Sequence, residues 1–415
     1  MSRSVAVVGA GLAGVATAYE LAALGCKVQV FERGGSVAEQ ASFAGSALLS
    51  PFLPGLNDAP TAPLAWRWRR WRAGRRAGNG PASLAALSQL SLARTAELRQ
   101  ELGLDDEAAT GLIVALVDAK RLAAAEAKLE DWRALGLAVE LLDGEQARQR
   151  EPGLNGEATL AGALALTPGG VGNARLFAQQ LRHQAQRLGV GFRFHTTVRA
   201  ITAEGAGLTL RHAYTPPLEA PTRSAEIREA GDTVPQAPGV QDERFDAVVL
   251  CCGLEAAQLL GQRLPLAAQL ESSVTAPLRL LEAHPDLGPK AGLIDPGRGL
   301  AVARIGQRVR VTGGVAMTGA KAKRAPDFEA LHRGLQHWFP GSVLHQQVQQ
   351  GQSRRAMAAD GLPLLGASGR PGLWLNLSAG GGWGLACGSA QVLAQQVAGQ
   401  APALDITPLG PQRLA

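Results

Sequence analysis

The sequence predicts an α/β protein carrying a second, α+β unit, and three observations support this. Residues 4–33 run strand, glycine turn, helix, strand and acid in that order. Residues 264–311 instead show short alternating runs separated by Pro and Gly, the pattern of an antiparallel or mixed sheet. At 415 residues the chain exceeds one ordinary core, so two domains are expected.

Val5 to Val8 is a short β-branched run bounded by Gly9, the mark of a buried parallel strand. Gly9, Gly11 and Gly14 form G-x-G-x-x-G, after which the apolar period becomes helical through Val15, Ala18, Leu21 and Ala22. Lys27 to Phe31 is a second strand with Glu32 at its end. In such a unit Gly9 permits the tight turn, Gly11 lets a pyrophosphate approach the backbone, and Gly14 lets helix and sheet pack closely. Glu32 suits a ribose 2′-hydroxyl. These residues predict an ADP-binding unit and leave NAD and FAD both open.

Further along, 42–51 is a small-residue loop. Residues 83–102, 119–135, 174–188 and 327–339 read as helices, and 112–116, 139–142, 161–166, 191–195, 197–202 and 207–210 as strands. The rhythm lapses over 212–242, where Pro216, Pro217, Pro221, Pro235 and Pro238 suggest a flexible excursion from a hairpin. A buried strand returns at 245–253 and ends on Gly253, and small residues at such strand ends are where cofactors sit. Residues 378–388 are dense in glycine and lead toward a helix over 389–397.

Composition narrows the class. Hydrophobic residues at 46% and charged residues at 18% fit a globular chain, and no apolar stretch is long enough to span a membrane. Four cysteines without metal-ligand spacing suit a reducing, cytoplasmic setting, and neither they nor the seven histidines predict a metal site. The net charge of +6 is partly local. Residues Trp66 to Arg76 interleave three tryptophans with six arginines, and as a helix they place Leu64, Trp68 and Trp71 on one face. Three readings stay open for it: a surface helix with inward tryptophans, a peripheral anchor on the inner face of a membrane, or a nucleic-acid patch.

The opening fingerprint, the loop 42–51, the strand end Val248 to Gly253, the block Arg355-Ala-Met-Ala-Ala-Asp-Gly-Leu-Pro-Leu-Leu-Gly366 and the stretch Gly382 to Ser389 occur in that order. Together they resemble the FAD-dependent D-amino-acid oxidase superfamily, with most likeness to the bacterial D-amino-acid dehydrogenase small subunits. There is a weaker likeness to the oxidase domain of the bifunctional enzyme of tRNA 5-methylaminomethyl-2-thiouridine. The resemblance implies a discontinuous, Rossmann-like FAD-binding domain (1–90, 152–262 and 352–415) and a mixed-sheet substrate domain (91–151 and 263–351).

The same resemblance implies that FAD is bound non-covalently. Gly9, Gly11, Gly14, Glu32 and Arg33 would serve its ADP half, with Ser42, Ala44 and Gly45 near pyrophosphate and flavin. Val198 would lie at the adenine, Gly253 beside the diphosphate, and Gly380, Gly381, Gly382 and Trp383 along the flavin edge. Arg355 would anchor a substrate carboxylate, since its planar fork matches that group; Arg354 is the alternative if the match slips by one residue. The family block usually reads Arg-Pro-Met-Thr-Pro-Asp, where this chain has Ala356, Ala358 and Ala359, and its Gly-His-Gly is replaced here by Leu377-Ser-Ala379, which makes Ser378 a candidate for the histidine's role.

The implied reaction is oxidation of an amino acid or secondary amine by hydride transfer to flavin N5. The imine is then hydrolysed, and a quinone or oxygen takes the electrons. The alternatives are a tRNA wobble-uridine carboxymethylaminomethyl oxidase, with the basic stretch on RNA, and a flavin-binding protein without amine turnover.

Overall fold

The computed structural model describes residues 2–56, 64–74, 78–205, 207–215, 239–261, 264–282, 284, 287–318, 327–377 and 382–414. Its first sheet has six strands in the order Leu364–Ala367, Leu373–Leu377, Ala247–Leu250, Ser4–Val8, Lys27–Phe31 and Gly191–Arg193. All neighbours are parallel except the first pair. Val5, Val7, Val248 and Val249 are wholly buried, as strands covered on both faces require. Helices Leu12–Ala23, Gly80–Leu102, Ala174–Arg187 and Trp383–Val397 contribute to the core on one side. On the other lies a three-stranded antiparallel sheet, Thr196–Glu204, Gly207–Tyr214 and Gln241–Phe245, packing Val198, Ile201 and Leu210 against Phe31 and Leu250.

The second sheet has eight strands: Gln349–Ala358, Leu266–Pro277, Arg308–Thr318, Leu300–Ile305, Gly292–Asp295, Leu112–Leu116, Gly162–Thr167 and Ala138–Asp143. It is antiparallel except where Gly292–Asp295 meets Leu112–Leu116. One face packs Val274, Val309 and Val311 against Leu331, Leu335 and Trp338 of the helix Phe328–Trp338. That helix is capped by Asp327, whose Oδ1 accepts from the Ala330 N–H at 2.9 Å.

Several expectations change. The strands Gly162–Thr167 and Gln349–Ala358 belong to the eight-stranded sheet, and the helix Gly80–Leu102 packs into the first core, so sheet membership does not follow cuts at 90, 152 and 352. The expected helix 119–135 is two, Ala119–Glu126 and Leu129–Ala134. The hairpin around the Pro-containing excursion reaches Tyr214 and restarts at Gln241, with His212 paired to Gln241; residues 216–238 lie outside the described residues.

The final helix begins at Trp383 rather than 389. Its glycines serve close packing. A Cβ on Gly384 would lie 2.7 Å from the Ser50 carbonyl oxygen, and one on Gly388 would lie 2.7 Å from the Ser91 backbone. Those two glycines thus serve helix contact, while Gly380 and Gly381 lie outside the described residues.

The C-terminus is tied down by one ion pair. Arg413 Nε donates to Asp360 Oδ2 at 2.6 Å and Nη2 to Oδ1 at 3.2 Å, with side chains 8% and 1% exposed. Arg413→Ala leaves that carboxylate buried without its cation, at a cost of about 3–5 kcal/mol. The expected result is a lower urea midpoint for Arg413→Ala; an unchanged midpoint would sink this assignment.

Candidate cofactor and substrate site

The candidate site lies where the carboxyl ends of the first sheet meet the face of the second that is turned away from the helix Phe328–Trp338. At the first, Gly9 has φ +101°, and a Cβ there would lie 2.9 Å from the Cys251 carbonyl oxygen. A Cβ on Gly14 would lie 1.9 Å from the Gly9 oxygen, so helix and strand meet at contact distance. Gly11 differs: its added Cβ would meet only Ser42 Oγ, at 3.6 Å. The bare backbone of Gly11 therefore borders a space the protein leaves open, where a ligand can approach.

The helix Leu12–Ala23 starts at Gly11 without a side-chain cap and without acid in its first turn. Among the described residues the one side chain at its mouth is Ser42, whose Oγ accepts from the Leu12 N–H at 3.2 Å. Glu32 is held by the N–H groups of Ala10 and Gly34, each 2.7 Å from a different carboxylate oxygen. Each oxygen keeps a lone pair for a hydroxyl donor. Arg33 bridges Glu255 at 2.9 Å and Gln40 at 2.8 Å. These features fit the ADP half of a dinucleotide: an open glycine turn, a helix start at which only the Leu12 N–H meets a side chain among the described residues, and a fixed acid.

Gly253 has φ +61°, with nothing within 4 Å of an added Cβ. Burial pushes the neighbouring Cys251 thiol up to about 12 and Cys252 upward as well, so neither is a thiolate nucleophile. Val198 is buried on the strand Thr196–Glu204, beside Phe31. Ser378, Gly380 and Gly381 lie outside the described residues. Trp383 opens the last helix and buries its indole against Phe177, with the Arg99 guanidinium 5.5 Å from the ring centre. Its side chain is thus part of the core, and only its backbone is offered to a ligand.

The second sheet supplies the other wall. Register places Arg355 opposite Gln269, and Gln269 opposite Met317. Strand alternation puts Arg355 on one face and Arg354 on the other, where Arg354 is exposed. The Arg355 guanidinium reaches into the seam between the sheets. A Cβ on Gly45 would lie 3.1 Å from its Nη2, and one on Gly382 would lie 3.0 Å from its Nη1. Nη2 is hydrogen-bonded to Glu271, and the two side chains are 16% and 12% exposed.

Two residues of this wall had no sequence expectation. Arg310 Nη1 donates to the carbonyls of Phe43 at 2.7 Å and Gly45 at 3.2 Å, and its Nε donates to Thr275 Oγ1 at 2.9 Å. It staples the 43–45 loop to the second sheet. Burial, assisted by the Arg308 charge and opposed by Glu271, pulls Arg310 down to about 10. Glu271 is the other. The available signal was alternation: Arg308, Arg310 and Thr312 interleave with the core residues Val309 and Val311, which reads equally well as a solvent-facing side.

The arginine–tryptophan helix, Leu64–Gly74, also differs from expectation. Trp66 is the buried tryptophan, packed with Met317, Ala267 and Ala359, while Trp68 and Trp71 are 56% and 55% exposed. Its inward side follows Trp66 and Ala73, so the face bearing Trp68 and Trp71 turns outward. Met357, which also packs there, stands two residues from Arg355 on the same face. The helix therefore roofs one end of the Arg355 wall.

The profile of the FAD-dependent oxidoreductases matches residues 4–396. The chain belongs to that family. The oxidoreductase is 30% identical over 448 residues to a D-amino acid dehydrogenase of Cereibacter sphaeroides, covering 99% of this chain and 95% of the relative. It is also 30% identical over 435 residues to one of Rhizorhabdus wittichii, covering 97% of each. Among solved structures it is similar in fold to glycine oxidase from Geobacillus kaustophilus, with TM-score 0.72, 22% identity and coverage of 100% and 99%. It is similar also to L-proline dehydrogenase from P. horikoshii, with TM-score 0.74, 15% identity and coverage of 99% and 97%. The α/β architecture and the enzyme class expected from sequence are both borne out. Among the described residues no group of side chains is placed to hold a metal ion, and no helix is long and apolar enough to cross a membrane.

Proposed function

We propose that this oxidoreductase acts on a small amino acid or secondary amine, in the manner of a D-amino-acid dehydrogenase. The observation that carries the reading is the Arg355 guanidinium, held in the seam between Gly45 and Gly382. An arginine there can take a substrate carboxylate through two parallel N–H bonds and so fix the carbon that bears nitrogen. Bound FAD supplies the two-electron acceptor. The chain's part is to bind, orient and exclude water, and the product imine is hydrolysed after leaving the site.

The non-covalent FAD is assigned to residues that leave it room. Gly11 and the first N–H groups of the following helix would take the pyrophosphate, on the turn that Gly9 and Gly14 allow by close packing, with Gly253 beside it. Glu32 would take the ribose, Arg33 would close the rim and the backbone of Val198 would border the adenine. Ser42, Ala44, Gly45 and Gly382, with the Trp383 backbone, would line the flavin. In this reading the first sheet with its helices is the FAD domain, and the eight-stranded sheet is the substrate domain.

Anaerobic mixing of the FAD-loaded protein with D-amino acids, glycine derivatives, proline and carboxymethylaminomethyl-uridine tests the reaction. Bleaching of the visible flavin band by an amino acid is the expected result. No bleaching by any of them would leave a flavin-binding protein without amine turnover. Reoxidation in air against reoxidation by a soluble quinone then identifies the electron acceptor.

The outward face of the helix Leu64–Gly74 suits an anionic surface, and we assign it to peripheral contact with lipid headgroups. Its exposed Trp68 and Trp71 are flanked by Arg67, Arg69 and Arg72, and the helix contains no acid. Sedimentation with anionic vesicles, lost in a Trp68→Ser/Trp71→Ser variant, is expected. Salt-sensitive binding of tRNA in place of vesicles would favour the wobble-uridine reading instead.

A further inference from the structure

The strands Leu266–Pro277, Arg308–Thr318 and Gln349–Ala358 form the wall around Arg355, and Glu271 is the one acid in all three. Register puts Glu271 and Gln269 on the Arg355 face of their strand, with Gln269 directly opposite Arg355. Glu271 is bound to Arg355 Nη2, one of the two nitrogens a substrate carboxylate would need. Gln269 Oε1 is buried and meets no donor among the described residues. The wall thus offers one acceptor already engaged by the anchor arginine and a second that meets no donor among the described residues. A second cation on this face, Arg310, directs its bonds to Phe43, Gly45 and Thr275.

We propose that Glu271, with Gln269 beside it, receives the substrate's amino group. This rests on Arg355 as the carboxylate anchor. While the site is free of substrate, Glu271 holds the guanidinium. A substrate carboxylate arriving at Arg355 competes with Glu271, and a plain carboxylate gives Glu271 nothing in return. An amino acid brings an ammonium one carbon away from its carboxylate. Glu271 exchanges one cation for another, and Gln269 gains a donor. The pair Arg355–Glu271 therefore selects molecules that carry both charges and fixes the amine as well as the carboxylate.

The test uses the FAD-loaded protein and two probes of equal carbon skeleton, 2-aminoisobutyrate and isobutyrate. The first has no hydrogen on the carbon bearing nitrogen, so it binds without reacting. Binding is followed by the shift of the flavin spectrum and by calorimetry. The wild-type protein is expected to prefer 2-aminoisobutyrate. Glu271→Gln is expected to weaken it at least about tenfold and to leave isobutyrate unchanged or tighter. Gln269→Leu, which leaves the ion pair intact, should weaken the amino probe alone, and Glu271→Asp should retain part of the preference. Equal changes for both probes, or unchanged 2-aminoisobutyrate binding in Glu271→Gln, would overturn the assignment. If neither probe binds the wild-type protein, the anchor role of Arg355 fails first and this inference fails with it.

Discussion

Arg355→Ala lowers kcat/KM for the best amino acid substrate by about 10³, the equivalent of about 4 kcal/mol, with the visible flavin spectrum retained. The direction follows from geometry: the guanidinium lies in the seam between the sheets, and its neighbour on the strand, Arg354, faces away. Steady-state kinetics on the purified protein are the measurement. A second effect accompanies the first. Truncating Arg355 leaves Glu271, with its side chain 12% exposed, without its cation. That costs stability on its own account. The double variant Arg355→Ala/Glu271→Ala is therefore expected to recover much of the lost stability and none of the lost activity. Activity within a few-fold of wild type in Arg355→Ala would refute the anchor role.

Gly11→Ala and Gly14→Ala fail in different ways, and the contrast separates cofactor binding from folding. At Gly14 an added Cβ would lie 1.9 Å from the Gly9 carbonyl oxygen and 3.3 Å from Cys251 Cβ. The helix must then move off the sheet, so the variant is expected to lose the fold or to be recovered as aggregate. Gly11 sits at φ −64°, ψ 174°, a conformation any residue adopts, with its nearest new contact 3.6 Å away. The Gly11→Ala apoprotein is expected to melt with the wild type. Its affinity for FAD should fall on the order of 100-fold, about 2.7 kcal/mol. Flavin content after gel filtration, read beside the melting curve of the apoprotein, checks both. Full flavin content in Gly11→Ala would remove that glycine from the cofactor cradle.

How far the site was legible depended on whether a residue's role is local. The opening unit was legible because turn, helix start and acid lie within residues 4–32; the structure starts the first strand at Ser4, one residue before the expected Val5, and returns Lys27–Phe31 for the second. The close packing of Gly384 on Ser50 and of Gly388 on Ser91 was not legible, because it joins residues hundreds of positions apart. For the helix Leu64–Gly74, three tryptophans among arginines give no unique inward face. Met317 and Ala267, from a distant sheet, select Trp66.

By itself the sequence determined the α/β class and the strand–helix–strand unit of Ser4–Val8, Leu12–Ala23 and Lys27–Phe31, because each depends on spacing along a few turns of backbone. The block containing Arg355 stood out only through resemblance to a family. Tertiary structure decided which polar face is covered. Arg308, Arg310, Thr312, Ser273, Thr275 and Arg355 alternate with core residues as solvent-facing side chains do, yet Thr312, Ser273 and Thr275 are at most 4% exposed. They are covered because the second sheet turns this face toward the first. Alternation records only that a face is polar. Whether water or another part of the protein lies against it is fixed by contacts such as Arg310 to Phe43, across 267 residues of chain.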